Sequence, residues 1–568
     1  GLKSSHCKSS SSNERIQSNR SNRKRGDQLA TRKPKNKMKP WWKGGVIYQI
    51  YPRSFLDTTG NGIGDLKGII QKLSYVSDLG VDAIWLSPIF TSPMKDMGYD
   101  VSNYKDIDPL FGDLEDFDSL INEAHRLNLK VIIDQVLSHS SDQMPFFQDS
   151  RSSKTSDKAD WYVWADPKSD GSPPNNWLSM FGGSAWEWEP MRDQYYFHNF
   201  LISQPDFNLH NKDVQDWLLD SSRFWLDKGV DGFRLDTVNY YFHDQKLRDN
   251  PSSPKFYKRP PTNLYYMQNQ IYAINQPENI LFVERLRSLL DEYEDRTSVG
   301  EIGDVHRPLE IMANYTKGNE RLHMAYSFEL LNEKFSPTHI KDTVENFFKS
   351  SDDSWPCWSF SNHDITRHIS RWRSNQTSRE HFAKLTCALL LSLEGSISLF
   401  QGEELGQLES ELEFDELTDP PGIRFWPENK GRDGCRTPMT WESTKQNAGF
   451  SAHSPWLPVK ELQKEQSVDL QESKPSSVLN FYREMLNFRR EQKDLTVGKI
   501  KFIRNDESLL FFTRGEKKEI ACLFNLSKNP LNLQLNGYQE ILNSPQQFAN
   551  ISNEDISLGG NGFIFLRK

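Results

Sequence analysis

Four short apolar segments of the sequence end in residues that can carry charge or move protons. The first reaches Asp134, with His139 soon after it, and the second reads Gly-Phe-Arg-Leu-Asp and ends at Asp236. The third ends at Glu301, and the fourth runs into Asn-His-Asp, which ends at Asp364. If these segments are parallel strands of one barrel, their carboxyl ends meet at one opening. We therefore expect a cluster of carboxylates there.

Paired carboxylates suit the cleavage of a glycosidic bond, because one protonates the leaving oxygen while the other supports the positive charge at the anomeric carbon. Arg234 lies two residues before Asp236, so both side chains point to one side and the arginine should keep Asp236 ionised. Glu301 has no neighbouring cation in the sequence, and apolar surroundings would raise its pKa until it holds a proton. These patterns predict Asp236 as nucleophile and Glu301 as acid, then base.

The elements that position these residues alternate between strand and helix, which is typical of a parallel sheet. Apolar residues recur three and four apart from Leu66 to Leu79 and from Leu114 to Leu127, which predicts two helices that pack on the sheet. Eight strands are expected, the number in a (β/α)8 TIM barrel of the α/β class. The predicted strands are 46–50, 83–86, 130–134, 232–236, 298–301, 324–328, 358–361 and 397–401.

Two further regions depart from this alternation. Nearly a hundred residues separate the third and fourth strands, and this segment is rich in Trp, Gly, Pro and Asp. From about Leu495 the pattern changes to short alternating strands, which predicts an antiparallel β domain. The predicted division is a basic arm at 1–40, a catalytic barrel at 41–138 and 209–490, an inserted subdomain at 139–208 and a C-terminal β-sandwich at 491–568.

The composition narrows the class of protein. The 568 residues are 36% hydrophobic and 26% charged, with a net charge of -9, and no apolar run could span a membrane. The first forty residues are basic and Ser-rich, so we expect a disordered arm and a more acidic body, which disfavours nucleic acid as a partner. The five cysteines lack CxxC spacing, which favours reduced thiols in a cytoplasmic protein. We expect a monomer or a weak dimer.

The motifs resemble those of the α-amylase superfamily, glycoside hydrolase family 13, from Trp41 to the C-terminal domain. Residues 45–52 resemble its first-strand motif, 232–236 its nucleophile strand and 360–364 the strand of its third acid. The run Gln-Pro-Asp-Phe-Asn at 204–208 resembles the α-glucosidase and oligo-1,6-glucosidase branch rather than endo-acting amylases. The resemblance implies a retaining, exo-acting α-glucosidase that works through a covalent glucosyl-enzyme intermediate and can also transfer glucose.

The resemblance also implies roles for matching residues. Asp236 would be the nucleophile, Glu301 the acid and base, and Asp364 a stabiliser of the transition state. At the terminal glucose, the hydroxyl donors would be His139 and His363, and the pair that grips the sugar would be Asp96 and Arg436. Tyr99 and Phe181 would provide aromatic faces to the ring.

Two positions bear on how this chain differs within the family. The third-strand motif normally ends in Asn-His, whereas this chain has Ser138 before His139, so the hydrogen bonds of the Asn are in question. Thr237 follows the nucleophile, where the related branch tends to have valine with α-1,6 cleavage and threonine or alanine with α-1,4 cleavage. A hydroxyl in place of a methyl changes the polarity beside the leaving group. The expected preference is therefore α-1,4, although Thr237 could instead satisfy a backbone carbonyl.

A Gly-rich loop after the first strand offers oxygen atoms at alternate positions, as calcium or magnesium requires. The family branch often binds a metal there, and any such metal would be structural because the carboxylates suffice for the chemistry. The other interpretation is a turn whose last Asp caps the next helix. The five candidate ligands are Asp57, Thr59, Asn61, Ile63 and Asp65.

Two other functions fit parts of this pattern. Sucrose-isomerising and trehalose-forming enzymes use the same site but pass the glucosyl group to a sugar, and sequence separates them poorly from hydrolases. A non-catalytic, hydrolase-like subunit of an amino-acid transporter would lack the acids and carry a membrane anchor. The three acids and the lack of a spanning run in this sequence argue against that subunit.

Overall fold

The protein is described by a computed structural model that covers residues 38–373 and 377–568. The predicted arm at 1–40 and Cys7 therefore lie outside the described residues, apart from residues 38–40. The strands within these ranges are β1 (Val46–Ile50), β2 (Ala83–Leu86), β3 (Phe90–Thr91), β4 (Asn103–Ile107), β5 (Lys130–Gln135), β6 (Trp164–Ala165), β7 (Trp186–Glu189), β8 (Gln194–Phe197), β9 (Gly232–Leu235), β10 (Thr297–Glu301), β11 (Met324–Tyr326), β12 (Cys357–Trp358), β13 (Ser396–Phe400), β14 (Ile500–Asn505), β15 (Leu509–Arg514), β16 (Ile520–Asn525), β17 (Leu531–Gln534), β18 (Gln539–Glu540), β19 (Gln547–Ser552) and β20 (Asp555–Arg567).

The α-helices of the described ranges lie between these strands along the chain. They are α1 (Leu66–Leu79), α2 (Leu114–Arg126), α3 (Pro145–Ser152), α4 (Lys212–Asp227), α5 (Asn279–Asp291), α6 (Pro308–Thr316), α7 (Pro337–Ser350), α8 (His368–Trp372), α9 (Arg379–Leu390), α10 (Pro420–Phe425), α11 (Glu461–Lys464), α12 (Val468–Glu472), α13 (Val478–Glu491) and α14 (Lys493–Val497).

Eight parallel strands form the barrel, in the order β11-β10-β9-β5-β2-β1-β13-β12. A parallel bridge between Ala325 and Pro356 closes the ring between its two end strands. The (β/α)8 prediction is confirmed. Two strands are shorter than predicted: β11 stops at Tyr326 because the chain turns at Phe328, and β12 stops at Trp358 because Ser361 bonds to His368 instead of extending the ladder.

The two helices that the apolar periodicity predicts are present, because each combines a buried stripe with a capped start. Asp65 accepts a hydrogen bond from the backbone N–H of Gly68 and begins α1, which ends at the left-handed Gly80. Asp113 and Asp116 form a reciprocal capping box at the start of α2. These caps fix where the loops that precede α1 and α2 end.

Residues 139–208 contain α3 and a three-stranded antiparallel sheet in the order β6-β8-β7. A bridge between His139 and Asp206 joins the two ends of this segment, and another links Tyr162 to Phe207. The C-terminal strands form one antiparallel sheet in which the long β20 pairs with β16, β17, β18 and β19. The exact domain boundaries and the sandwich arrangement stay predictions.

The structure bears on two expectations from the composition, which are reduced thiols and the lack of a membrane-spanning segment. Cys357, Cys387, Cys435 and Cys522 are buried and free of disulfides. In the part of the chain that the structure covers, no helix combines the length and apolar character needed to cross a bilayer.

Candidate active site

A pocket of about 710 Å³ lies at the carboxyl ends of the barrel strands. Its walls come from the barrel, from the 139–208 segment and from the loop that follows β13. It collects nine of the predicted residues: Asp96, Tyr99, His139, Phe181, Asp236, Thr237, Glu301, His363 and Asp364. The predicted Arg234 and Arg436 are fully buried and support these residues from behind.

Arg234 joins the predicted nucleophile and the predicted acid through one guanidinium. Its Nη1 donates to Asp236 Oδ1 at 2.8 Å and to Asp134 Oδ1 at 2.9 Å. Its Nη2 donates to Glu301 Oε2 and to the Tyr326 hydroxyl. The side chain is confined because its guanidinium also lies 5.0 Å from the centre of the Trp85 ring. The planar fork therefore fixes two carboxylates relative to each other.

Burial is the largest influence on the titration of these carboxyls. It raises the pKa of Glu301 to about 7, and Arg234 opposes that shift. It also raises the pKa of Asp236 well above its usual value, with Arg234 again opposing. The sequence predicted that Arg234 would keep Asp236 ionised, but desolvation outweighs the arginine here. Because several buried carboxyls share one guanidinium, the cluster retains a proton near neutral pH.

Glu301 accepts two further hydrogen bonds that orient it. The Tyr326 hydroxyl donates to Oε2 at 3.1 Å, and the backbone N–H of Thr237 donates to Oε1 at 3.1 Å. Thr237 adopts a left-handed conformation, with φ 39° and ψ 54°. A β-branched residue rarely adopts this conformation, which costs about 1 to 3 kcal/mol. The strained turn is what aims the Thr237 N–H at Glu301.

A hydrogen-bonded chain fixes His363. Gln49 Nε2 lies 2.7 Å from its Nδ1, and the Tyr99 hydroxyl lies 2.6 Å from its Nε2. Tyr99 in turn donates to Asp134 Oδ2 at 2.9 Å and stacks on the imidazole. Since Asp134 needs the tyrosine proton, Nε2 of His363 carries a proton of its own. Burial lowers the pKa of His363 well below its usual value, so the ring is neutral.

Asp364 lies against two arginines. Its Oδ1 is 3.2 Å from Arg432 Nη1 and 3.4 Å from Arg436 Nη2. Burial alone would raise the pKa of Asp364, but His363 and the two guanidiniums hold it below its usual value. Since His363 is neutral, the arginines carry most of this effect. Asp364 therefore stays ionised, unlike Glu301.

The two residues of the predicted gripping pair do not bond to each other. Arg432 Nη2 contacts Asp96 Oδ1 at 2.9 Å, whereas no hydrogen bond or ion pair between described residues joins Arg436 to Asp96. Arg436 instead donates through Nε to the carbonyl of His363 at 2.7 Å. Arg432 was missed because both arginines belong to one motif, and only the loop conformation decides which one faces the pocket. That Asp96 and Arg436 grip the terminal glucose stays a prediction.

Two of the predicted wall residues come from the 139–208 segment. Phe181 packs against Phe200, and the guanidinium of Arg432 lies 5.1 Å from the centre of the Phe181 ring. His139 Nε2 lies 2.9 Å from the carbonyl of Tyr99. These contacts close the side of the pocket nearest Asp96.

In the predicted metal loop, the carboxylates already accept hydrogen bonds from nearby protein groups. Asp57 accepts from Thr59, Gly60, Gly62 and Ser451, and Asp65 accepts from Thr58 and Gly68. Asn61 accepts from the N–H of Ile63. Across the described ranges, no group of three or more acidic, His or Cys side chains has the geometry of a metal site. This donor set suits a self-closed turn better than a calcium site, so calcium here stays an untested prediction.

Comparison with known proteins agrees with this geometry. The family model of the alpha-amylase catalytic domain matches residues 49–498. A probable alpha-glucosidase of Rhizobium meliloti is 54% identical, over 86% of this chain and 89% of that protein. An oligo-1,6-glucosidase of Heyndrickxia coagulans is 37% identical, over 87% of this chain and 93% of that protein. The crystal structure of the alpha-glucosyl transfer enzyme XgtA has 50% identity and a TM-score of 0.90, over 93% of this chain and 99% of that chain.

Proposed function

The chain belongs to the α-amylase family of glycoside hydrolases, and on that premise we propose that it is a retaining α-glucosidase acting on chain ends. The observation that carries the proposal is the shared contact of Arg234 with Asp236 and Glu301 beneath the pocket. This contact sets a nucleophile and an acid side by side. The close relationship to alpha-glucosidases and oligo-1,6-glucosidases supports the same activity.

In the first step, Glu301 donates its proton to the glycosidic oxygen while an Asp236 oxygen attacks the anomeric carbon. The bond from that carbon to the leaving oxygen breaks, and an ester to Asp236 forms. The one proton that the carboxylate cluster retains is on Glu301 in this step, so Asp236 attacks as the carboxylate. The positive charge that develops on the sugar favours this ionised form against the effect of burial. Ionised Asp364 binds the sugar hydroxyls of this transition state.

In the second step, Glu301 accepts a proton from water, whose oxygen attacks the anomeric carbon and releases Asp236. Esterification of Asp236 has removed one negative charge, which lowers the tendency of Glu301 to hold its proton. Glu301 can therefore change from acid to base. Two inversions give glucose in the α-configuration. An acceptor hydroxyl in place of water gives transfer, which the similarity to XgtA supports.

Action on chain ends is supported by the wall that Asp96 and Arg432 form across one side of the pocket. Arg432 is held in place by Asp419 at 2.8 Å, and it packs over Phe181. A terminal glucose can enter such a pocket, whereas an internal residue of a chain needs an open groove. We expect short oligosaccharides to be better substrates than starch.

Phosphorylated sugars are disfavoured as substrates, although trehalose-6-phosphate hydrolases are among the related proteins. The two arginines among the described pocket residues are Arg371 and Arg432. Arg371 donates to the backbone carbonyls of Asn332, Thr366, Leu330 and Phe360, and Arg432 is paired with carboxylates. Asp304 and Glu333 add negative charge to the lining. A phosphate group would therefore meet carboxylates without a free guanidinium.

The experiment is incubation with maltose, isomaltose, sucrose and soluble starch, with the products resolved by chromatography. We expect glucose from maltose at a higher kcat/KM than from isomaltose, because Thr237 rather than valine follows Asp236. Proton NMR should show α-glucose first. First release of the β-anomer, or an early fall in starch viscosity, would contradict the proposal. Conversion of sucrose to an isomeric disaccharide without glucose would favour the isomerase alternative.

The proposal also covers the cellular location and the oligomeric state of the enzyme. The four cysteines among the described residues are buried and free of disulfides, which supports a cytoplasmic location. We propose that the enzyme acts as a monomer or weak dimer, which size-exclusion chromatography with light scattering would test.

A further inference from the structure

Ser138 occupies the position where the resemblance leads one to expect asparagine, and it is 1% exposed. Its hydroxyl oxygen lies 2.9 Å from His139 Nδ1 and 3.2 Å from Thr237 Oγ1. His139 and Thr237 both line the pocket, whereas Ser138 does not. Ser138 therefore links two pocket residues from behind the wall.

The direction of the hydrogen bonds follows from the outer end of this chain. His139 Nε2 lies 2.9 Å from the carbonyl oxygen of Tyr99, which can only accept. Gln204 Nε2 is also 3.3 Å away, but that amide has Asp96 Oδ2 as its acceptor at 3.0 Å. Burial lowers the pKa of His139 to about 4, so its ring is neutral at pH 7. Nε2 therefore carries the single ring proton, and Nδ1 is an acceptor.

Because Nδ1 accepts, the Ser138 hydroxyl must donate to it. The single proton of Ser138 is then used, so the Thr237 hydroxyl must donate to Ser138. The sequence of donors runs from Thr237 through Ser138 and His139 to the Tyr99 carbonyl. The Thr237 hydroxyl proton is directed away from the pocket, which leaves an oxygen acceptor beside the substrate.

The inner end of the chain is close to the reacting groups. Thr237 follows Asp236, and its backbone N–H donates to Glu301 Oε1 at 3.1 Å. Its left-handed backbone is strained, so its position depends on the contacts that hold it. The hydroxyl of Ser138 is one of these contacts.

We propose that Ser138 is a positioning residue that couples the linkage preference read at Thr237 to the orientation of His139 through this donor chain. The inference rests on the proposed α-glucosidase activity and deepens it. Thr237→Val should then act by releasing Ser138 as well as by placing a methyl group beside the substrate. Without the Ser138 hydroxyl, the Thr237 hydroxyl loses the acceptor that orients its proton. Linkage preference then depends less on the Thr237 hydroxyl.

A double-mutant cycle tests the coupling. Ser138→Ala, Thr237→Val and the double variant are compared with the wild type on maltose, isomaltose and an aryl α-glucoside. Ser140→Ala is the matched control, because Ser140 is equally buried but its hydroxyl contacts Tyr162 and the Ser141 carbonyl outside the pocket. Melting temperatures establish that each variant is folded, and Ser138→Thr, which restores a hydroxyl, tests rescue.

In the wild-type background, Thr237→Val should shift the ratio of kcat/KM toward isomaltose by about tenfold. In the Ser138→Ala background, the same change should shift it by less than about threefold. Ser138→Ala should also raise KM for the aryl glucoside because His139 is no longer fixed, and Ser138→Thr should restore both values. Ser140→Ala should leave them unchanged.

Equal shifts in both backgrounds would overturn the coupling, as would the lack of any shift in the wild-type background. If Ser138→Thr restores neither the shift in the kcat/KM ratio nor the KM for the aryl glucoside, the proposed role of the Ser138 hydroxyl is overturned. These outcomes are distinct from failure of the proposed function, which would appear as a folded wild type that hydrolyses none of the three α-glucosides.

Discussion

The guanidinium of Arg234 lies 2.8 Å from the carboxylate of Asp236, two residues further along the chain. The alternation of a strand would place both side chains on one face, and β9 ends one residue before Asp236. The same guanidinium reaches Glu301. The geometry of the reaction centre therefore depends on one fully buried cation.

Replacing Arg234 with lysine keeps the charge but removes the planar fork. We expect kcat/KM for an aryl α-glucoside to fall by about a thousandfold, because one ammonium cannot orient both carboxylates. Arg234 lowers the pKa of Asp236 and Glu301, so weaker contact should move both limbs of the pH profile to higher pH. Arg285→Lys is the control, since Arg285 pairs with Asp216 on the outer helices. Nearly full activity of Arg234→Lys would contradict this role.

The pKa of Glu301 predicts the alkaline side of the pH profile. Burial raises this pKa to about 7, and the acid must be protonated to donate to the leaving oxygen. On this limb, the kcat/KM for maltose should therefore decline as the pH rises through about 7. In Glu301→Gln, glucosylation by a substrate with a good leaving group should lose this limb. Maltose hydrolysis that stays constant to about pH 9 would contradict the assignment.

From the hydrogen bonds of the loop that begins at Asp57, we predict that the melting temperature of the protein does not depend on calcium. Its two carboxylates already accept hydrogen bonds from the loop and from Ser451, and Thr59 and Asn61 are neutral. EDTA should change the melting temperature by less than about 1 °C. Asn61→Asp adds a charged ligand and should create a calcium-dependent increase. A fall of several degrees in the wild type, reversed by calcium, would show that the ion is bound.

The regular elements could be predicted because their patterns are local. The apolar residues from Leu66 to Leu79 and the cap at Asp65 define α1 within a single stretch of sequence. The carboxylates could be found for the same reason, since Asp236 directly follows β9 and Glu301 ends β10. Closure of a barrel then brings together residues that are far apart in the chain.

The features of the site that could not be predicted from the sequence lie mostly in irregular segments. Arg432 and Arg436 lie on one loop without periodicity, and the fold of that loop alone turns Arg432 toward Asp96. The left-handed conformation of Thr237 runs against the preference of a β-branched residue, so no propensity could indicate it. The titration of Asp236 depends on how completely the pocket excludes water, which spacing along the chain does not report.

Trapping of the covalent intermediate tests the central claim that Asp236 is the nucleophile. Glu301→Gln is mixed with an aryl α-glucoside whose leaving group needs no protonation, and the intact protein and its peptides are analysed by mass spectrometry. We predict the mass of one added glucosyl group, located on the peptide that contains Asp236, and no such adduct in the variant that also carries Asp236→Asn. An adduct on another residue, or substantial turnover by Asp236→Asn alone, would contradict the account.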